Sequence, residues 1–476
     1  MVVNALFMGG AELLVVLQGL IVTVLLGPRQ VGLYGIVTTT AMTVVQLRRV
    51  GIDEAFVQQR EADQEREFQR AFTLELIVGT AFSLLLVIAA PVVAVVYGDE
   101  RLLPLMIAVA YLPTAFALQA PTWIFFRRMD FVRVRTLQAI IPVVTFCVAV
   151  PLAAATHSVW SLVIGPFVGN ATAVIAALKV SPYRLALRFD RDARRRYFRF
   201  SWPIFASTGA LLLVQQGQIL AFDLHGGLAA AGYITLAVTL TRYADRADQI
   251  IATTIYPAIV VVQDRLRTLE EIFVKSNRVA LMWVLPFCAG FILFSPDLVR
   301  FVLGDDKWQP AVLLLQGLAG AAAIQQLGYN WFSFYRARGD SARQAVESAV
   351  MTVTFLGLAI PGLVIWGSGG FVAGRIASAL LVMLVRRYYV RKLLGVELLA
   401  VGVRGAAPVA ASAGVVLLVR ALVWSGGRTV AQLAVELVLF LGLTALLTWV
   451  AERGLLRELA VQLRAGGGLR GAVARA

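Results

Sequence analysis

The amino-acid sequence predicts an all-α integral membrane protein with about fourteen transmembrane helices, and three observations support this prediction. The first is composition: 59% of the 476 residues are hydrophobic and 15% are charged, with a mean hydropathy of +0.79, whereas soluble domains carry about 25% charged residues. The second is that continuous apolar stretches of about twenty residues, the length a bilayer core requires, recur along the chain. Such stretches form helices in lipid, because barrel strands alternate apolar and polar residues.

The third observation is the distribution of lysine and arginine. Every second connection between apolar stretches carries a basic cluster, and together these clusters hold most of the 43 basic residues. They lie at 48–70, 127–135, 179–199, 265–278, 336–343, 386–404 and in the tail from 453 onward. The alternate connections hold only Arg29, Arg101, Arg300, Lys307, Arg420 and Arg428. This alternation follows the positive-inside rule, so it predicts a multi-pass protein with both termini in the cytoplasm.

The apolar stretches and the connections between them give the expected helix bounds. These are 5–26, 31–50, 73–96, 102–124, 136–155, 159–179, 200–223, 229–252, 279–301, 310–334, 346–366, 370–390, 405–424 and 431–450. The connections predicted to lie outside are only a few residues long, so we expect function to lie within the helix bundle or on its cytoplasmic face.

The chain also contains an internal repeat with a period of roughly 200 residues. The matching segments are YGDERLLP (97–104) with LGDDKWQP (303–310), PTWIFFRRMDF (121–131) with NWFSFYRARGD (330–340), and VGLYGI (31–36) with AAGYIT (230–235). Both copies start on the same side of the membrane, so the repeat is parallel, an arrangement found in transporters. The predicted domains are an N-terminal six-helix lobe at 5–179, a basic cytoplasmic linker at 180–199, a C-terminal six-helix lobe at 200–390, two extra helices at 405–450 and a cytoplasmic tail at 451–476.

Composition also limits the chemistry. Cys147 and Cys288 lie within apolar stretches and are interpreted as core residues, while His157 and His225 lie far apart, so no metal site, catalytic residue or cofactor is predicted. The net charge of +15 is interpreted as loop charge that faces the cytoplasm and anionic membrane lipids, and not as a nucleic-acid surface. No coupling ion is identifiable from the sequence.

Several motifs, taken in order, resemble one family of membrane proteins. They are LLGPRQVGLYGI, GIDEAFVQQREADQEREFQRAF, YGDERLLPL, FFRRMDFVRV and HSVWSLVIGPFVGN. Their order and spacing, over about 5–395, resemble those of bacterial polysaccharide flippases of the polysaccharide transporter (Wzx/WzxC-like) family, within the multidrug/oligosaccharidyl-lipid/polysaccharide exporter superfamily.

The resemblance implies two six-helix lobes that form a V around a central cavity. It also implies movement of undecaprenyl-pyrophosphate-linked oligosaccharide from the inner to the outer leaflet of the bacterial plasma (inner) membrane, by alternating access. The expected process is the synthesis of a surface polysaccharide, such as lipopolysaccharide or exopolysaccharide. A polysaccharide polymerase and glycosyltransferases are then expected as partners, beside the lipid-linked oligosaccharide itself.

Polar side chains within the predicted helices are the candidate substrate-binding residues, because they are costly to insert and usually mark a pathway or an internal pair. Side-chain amides suit sugar hydroxyls, and guanidinium groups suit a pyrophosphate. The candidates are Glu12, Gln18, Arg48, Arg49, Gln215, Gln216, Gln218, Arg242, Asp245, Arg246, Gln325, Gln326, Asn330 and Arg375. The alternative is that they form interhelical hydrogen bonds and a self-neutralising Arg–Asp ladder.

Three other functions remain open at this point. A drug or cation exporter of the same superfamily would favour acidic and aromatic cavity residues, and the excess of arginine argues against it. A membrane glycosyltransferase or polymerase would need catalytic carboxylates on a sizeable loop, which the short outer connections do not offer. A scaffold without transport would leave the duplication and the charges within the membrane unexplained.

Overall fold

The computed structural model describes residues 2–48, 52–53, 56, 63–128, 130–189, 191–244, 259, 262, 264–304, 306–337, 342–423 and 428–464. Every regular element in these ranges is a helix. Contacts divide the chain into two compact units, Met1–Thr235 (unit 1) and Leu236–Ala476 (unit 2).

Unit 1 contains six complete spans and the start of the second half of the repeat. The helices are α1 (Val2–Leu26), α2 (Pro28–Arg48), α3 (Gln64–Tyr97), α4 (segments Leu102–Val109, Leu112–Leu118 and Pro121–Arg127), α5 (Phe131–Thr156) and α6 (Ser161–Val180). The helical stretch Arg191–Thr241 then divides at Gly227, whose φ of 69° is non-helical, into α7 (191–226) and α8 (228–241). Glycine adopts this left-handed φ without the steric penalty that a side chain brings.

Unit 2 contains the remaining spans. These are α9 (Leu266–Asp297, continued by the π-helical turn Leu298–Leu303), α10 (segments Gln309–Gln325 and Trp331–Ala337), α11 (342–366), α12 (368–394), α13 (Leu398–Leu422) and α14 (Val430–Arg464). The break between α11 and α12 is at Gly367, with φ 63°. Like the break at Gly227, it lies at a glycine with a positive φ inside a continuous helical stretch.

This order of helices confirms the predicted fold class. Within the described ranges, nine helical stretches are long and apolar enough to cross a membrane, and some of them join two spans. Helix ends differ from the prediction where a polar turn extends a span. α3 begins at Gln64 rather than 73, because the Asp63 side chain caps it by accepting a hydrogen bond from the main-chain N–H of Arg66 at 3.0 Å.

The first repeated motif ends a helix in both copies. Gly98 follows α3 with φ 64°, and Gly304 follows α9 with φ 67°. A left-handed glycine after the last turn satisfies orphan carbonyls at a helix end. After Gly98, the Arg101 side chain and main-chain N–H both donate to the Asp99 carboxylate, and this pairing lowers the pKa of Asp99. The equivalent Asp305 lies outside the described residues.

Packing contacts recur in the two halves as well. Gly165 of α6 packs against Ala149 of α5 so closely that a Cβ would overlap, and Gly374 of α12 packs in the same way against Ala359 of α11. One turn further along, Gly169 lies against Thr145. The corresponding residues Ser378 and Thr354 share a hydrogen bond of 2.6 Å between their hydroxyls. The α5–α6 and α11–α12 pairs therefore pack alike, although the predicted lobe bounds stay predictions.

The extra helices α13 and α14 are attached to α9 by buried charges. At the end that is predicted to lie outside, Glu436 of α14 accepts from Arg420 at 2.7 Å and from Arg428 at 2.6 Å. Arg428 also lies 2.8 Å from Asp297 of α9. Asp297 and Glu436 are almost fully buried. The four side chains form what we name the outer ion cluster, with two positive and two negative charges.

The opposite ends of α9 and α14 are paired too. Arg278 binds Glu452 with two guanidinium nitrogens, and Lys275 lies 2.5 Å from Glu458. Because α14 contacts α9 at both ends through charged groups, the two helices run antiparallel over their length. Both acidic residues of α14 lie beyond the predicted end at 450, in a helix that continues to Arg464.

Candidate functional site

A cavity of about 480 Å³ lies within unit 1, between α1, α2, α4, α5 and α6. Proline shapes these walls. Pro113 and Pro121 start the second and third segments of α4, where no donor is needed. Pro142 in α5 and Pro166 in α6 line the cavity itself, and each removes one hydrogen bond from its helix. The walls therefore consist of bent and interrupted helices.

The polar lining is made of amides and hydroxyls. Its members are Gln18, Tyr34, Thr38, Tyr111, Arg135, Gln138, Thr145 and Asn170. Among the described lining residues, Arg135 is the one charged group and no carboxylate occurs. The cavity as described thus offers donors and acceptors for a neutral polyhydroxyl ligand, together with one positive charge.

Asn170 is the most firmly placed of these groups. Its Nδ2 donates a hydrogen bond to the main-chain oxygen of Pro166, one turn earlier in α6, at 2.9 Å. Its Oδ1 accepts from Gln119 Nε2 at 3.3 Å, and its side chain is hydrogen-bonded to Tyr111. The Tyr111 ring packs edge-on against Phe167, with 4.9 Å between centroids. Asn170 therefore presents a fixed amide to the cavity.

Arg135 lies in the first turns of α5, near the mouth predicted to face the cytoplasm. Its Nη1 donates to Gln138 Oε1 at 2.8 Å, and its Nε is buried without a partner among the described residues. Arg135 was not among the predicted binding residues, because it belongs to the basic cluster at 127–135. Its spacing from Gln138 and Pro142, which places all three on one helix face, is the signal that could have identified it.

The predicted candidates of unit 1 have different surroundings. Gln18 lines the cavity. Arg48 is buried and paired with Glu75 of α3, with its guanidinium 5.9 Å from the Phe116 ring. Gln216 donates to Thr43 Oγ1 at 2.7 Å, and Gln218 is buried. The side chains of Glu12 and Gln215, and all of Arg49, lie outside the described residues.

The described candidates of unit 2 have different surroundings. Arg242 is exposed in a short 3-10 turn, and Asp245 and Arg246 lie outside the described residues. Asn330 is buried and joins α10 to α9, accepting from Asn277 at 2.8 Å and donating to Ser276 at 2.7 Å. The main-chain oxygen of Gln325 accepts a hydrogen bond from the Arg386 guanidinium, and the Gln326 side chain is buried. Asn330 thus lies in an interhelical hydrogen-bond network.

Arg375 of α12 has a different environment. Its Nε and Nη1 are buried and lack a hydrogen-bond partner within the described residues, and its guanidinium lies 5.9 Å from the Phe355 ring. The partnership with an aromatic face is weaker than a salt bridge. The substrate-binding roles of all these residues stay predictions.

One known protein family matches the chain. The model described as "Polysaccharide biosynthesis protein" matches residues 21–313, which is more than half of the chain. The chain belongs to this family. The match includes the cavity walls that α2, α4, α5 and α6 form. The predicted family resemblance is confirmed.

Solved structures agree on the fold. A lipid II flippase, MurJ, in an inward closed conformation matches with a TM-score of 0.70 at 11% identity, covering 96% of this chain and 100% of that one. A multidrug resistance MATE family transporter of the MOP superfamily, in an inward-facing conformation, matches with a TM-score of 0.65 at 15% identity, covering 80% and 94%. A comparison with curated proteins found no significant match. At these identities the likeness shows a shared fold, that of an all-α multi-pass membrane protein.

Proposed function

We propose that this member of the polysaccharide biosynthesis protein family is a flippase. It moves undecaprenyl-pyrophosphate-linked oligosaccharide from the inner to the outer leaflet of a bacterial plasma membrane, by alternating access, for the synthesis of lipopolysaccharide or exopolysaccharide. The observation that carries the proposal is the lining of the unit 1 cavity, where the described residues supply amides, hydroxyls and aromatic rings around the Arg135 guanidinium. Amides and hydroxyls can donate to and accept from sugar hydroxyls.

The second candidate is a drug or cation exporter, which the fold shared with MATE transporters keeps open. A site for a cationic ligand needs negative charge or an electron-rich aromatic face. The described lining of the cavity supplies tyrosine and phenylalanine rings but no carboxylate, and its one charge is positive. This charge repels a cation, so the lining supports the flippase over the exporter.

The proposal includes the organisation expected from the sequence. Lobes at 5–179 and 200–390 are joined by the linker at 180–199, and both termini face the cytoplasm. A polymerase and glycosyltransferases of the same pathway act on the carried glycan before and after transfer. No step in this scheme requires catalysis by the protein itself.

The experiment compares a strain that lacks the gene with the same strain carrying it on a plasmid. We expect loss of surface polysaccharide and accumulation of lipid-linked oligosaccharide in the inner leaflet, both restored by the plasmid. Purified protein in liposomes should then make a labelled lipid-linked oligosaccharide accessible from the opposite leaflet. Unchanged polysaccharide together with increased sensitivity to cationic drugs would reject the flippase and favour the exporter.

A further inference from the structure

The mouth of the unit 1 cavity has a guanidinium with one edge occupied and the other edge open. Arg135 Nη1 donates to Gln138 Oε1 at 2.8 Å, which fixes the plane of the group. Its Nε is buried and has no acceptor among the described residues. Nε and Nη2 together form the edge that binds two oxygens of a carboxylate or phosphate side by side. A buried donor without an acceptor is unfavourable, so a ligand oxygen here removes that penalty.

Asp130 and Glu75, two acidic side chains of neighbouring elements that the structure describes, are engaged elsewhere. Asp130, which precedes α5, lies 3.3 Å from the Arg133 guanidinium, and its carboxylate caps the helix by accepting a hydrogen bond from the main-chain N–H of Arg133. Glu75 of α3 binds Arg48. Among the described residues that line the cavity there is no carboxylate to neutralise Arg135. Its charge is therefore available to a ligand.

The remaining walls suit the rest of a glycolipid headgroup. From Arg135 the cavity continues along α5 past Gln138 and Thr145 and reaches Asn170 of α6 and Gln18 of α1. A ligand with an oxyanion at the mouth would place uncharged hydroxyls against these amides. The arrangement therefore matches a molecule that has its charge at one end and sugar rings beyond it.

We propose that Arg135, oriented by Gln138, is an oxyanion-binding residue of the unit 1 cavity. It holds two oxygens of a single phosphoryl or carboxylate group on the transported glycolipid. The identity of the ligand as a transported glycolipid rests on the proposed function, whereas the geometry of the Arg135 guanidinium does not depend on it. The same edge can take a phosphate of the diphosphate carrier or the carboxylate of an acidic sugar, so the test includes a probe for each source.

The test measures binding to the purified full-length protein in nanodiscs, by thermal shift and by tryptophan fluorescence. Inorganic pyrophosphate represents the carrier, and glucuronate represents an acidic sugar. We expect one of them to bind the wild type, and Arg135→Ala to weaken this binding about ten- to a hundredfold, as loss of a charge-assisted contact does. Arg135→Lys should bind at an intermediate level, because an ammonium group lacks the planar fork. Gln138→Ala should weaken binding less than Arg135→Ala.

Arg133→Ala is the matched control. Arg133 lies two residues away on the same helix, is exposed, and pairs with Asp130 rather than lining the cavity. This variant should bind the probes as the wild type does. Pyrophosphate binding that depends on Arg135 assigns the site to the carrier, and glucuronate binding that depends on Arg135 assigns it to an acidic sugar.

Two results would overturn the proposal. One is that neither probe binds the wild type, and the other is that the wild type, Arg135→Lys and Arg135→Ala all bind equally. The unliganded melting temperature shows whether each variant is folded, and Arg135→Lys keeps the test decisive if Arg135→Ala is not. Failure of the proposed function has a different signature, because polysaccharide export would be unaffected by gene loss while the Arg135-dependent binding persisted.

Discussion

Arg48 illustrates how a side chain that resembles a binding residue can serve the fold. Its guanidinium and the Glu75 carboxylate are only 7% and 8% exposed, and they join α2 to α3. Removing one partner of a buried pair leaves the other charge uncompensated, whereas replacing both partners with apolar residues is often neutral. This difference separates a structural role from substrate binding.

We therefore expect Arg48→Met alone to lower the free energy of unfolding by about 3–5 kcal/mol, and Arg48→Met with Glu75→Leu to recover most of the loss. Thermal unfolding in detergent measures stability, and surface polysaccharide measures function. Normal export by the double variant assigns Arg48 to the fold. A stable double variant that exports nothing would instead support the predicted role of Arg48 in binding.

The sequence could enumerate the polar residues of the spans but not their partners. Gln18, one of the predicted candidates, lines the cavity, and its role in binding stays a prediction. Arg135 was missed because the helix was predicted to begin at 136, which placed Arg135 in the preceding loop with its basic cluster, whereas α5 begins at Phe131. Which polar residues face a cavity and which face each other depends on how each helix is rotated against its neighbours. Hydrophobic periodicity says little about this rotation when a helix is apolar on nearly every side.

At the scale of the elements, α2 and α8 approach each other unusually closely. A Cβ on Gly32 would overlap the Leu228 carbonyl oxygen, and a Cβ on Gly232 would overlap that of Pro28. Further along, a Cβ on Gly35 would overlap the Thr235 side chain. Small residues let helix backbones come this near in a membrane. The first two obstacles are main chain, which cannot rotate away.

We expect Gly32→Ala to force α2 and α8 apart, to lower the free energy of unfolding by about 1–3 kcal/mol and to reduce export. Gly19→Ala in α1 is the control, because no atom lies within 4 Å of its Cβ position. Melting temperature and surface polysaccharide report on the two effects. If both variants behave alike, the close approach has no importance for stability or transport.

Helix number and order could be predicted from the sequence, because each span needs its own apolar stretch and the basic clusters separate them. Helix ends could not be predicted as well. α3 starts at Gln64, within a polar segment that packs Phe68 into a core with Phe56 and Ile124. Similarly, α14 continues past the predicted end at 450, where its acidic residues bind α9. Contacts between distant segments, and not local composition, decide these ends.

For the whole molecule, the distribution of lysine and arginine predicts an even number of crossings. A reporter fused to the C-terminus should therefore be active if it works in the cytoplasm and inactive if it requires the periplasm. Fusions in the connection at 98–101, between α3 and α4, should show the opposite pattern. A periplasm-active C-terminal fusion would contradict the predicted orientation.

The outer ion cluster has a consequence for biosynthesis. Spans leave the ribosome in order, so α9 reaches the bilayer with Asp297 long before Arg420, Arg428 and Glu436 have been translated. Until then this acid lacks the partners that compensate it in the finished protein. The helices α13 and α14, although they lie outside the repeat, thus supply the charges that compensate Asp297 of α9.

A chain that stops before α13 should accordingly be recognised as unfinished and degraded. Pulse-chase labelling of a chain truncated after Val396 should show a short lifetime, and the same truncation with Asp297→Asn should survive longer. Equal lifetimes would mean that the unpaired acid is tolerated. If Asp297→Asn does prolong the lifetime of the truncated chain, translation of α13 and α14 is the step at which the cell can accept the full-length protein as complete.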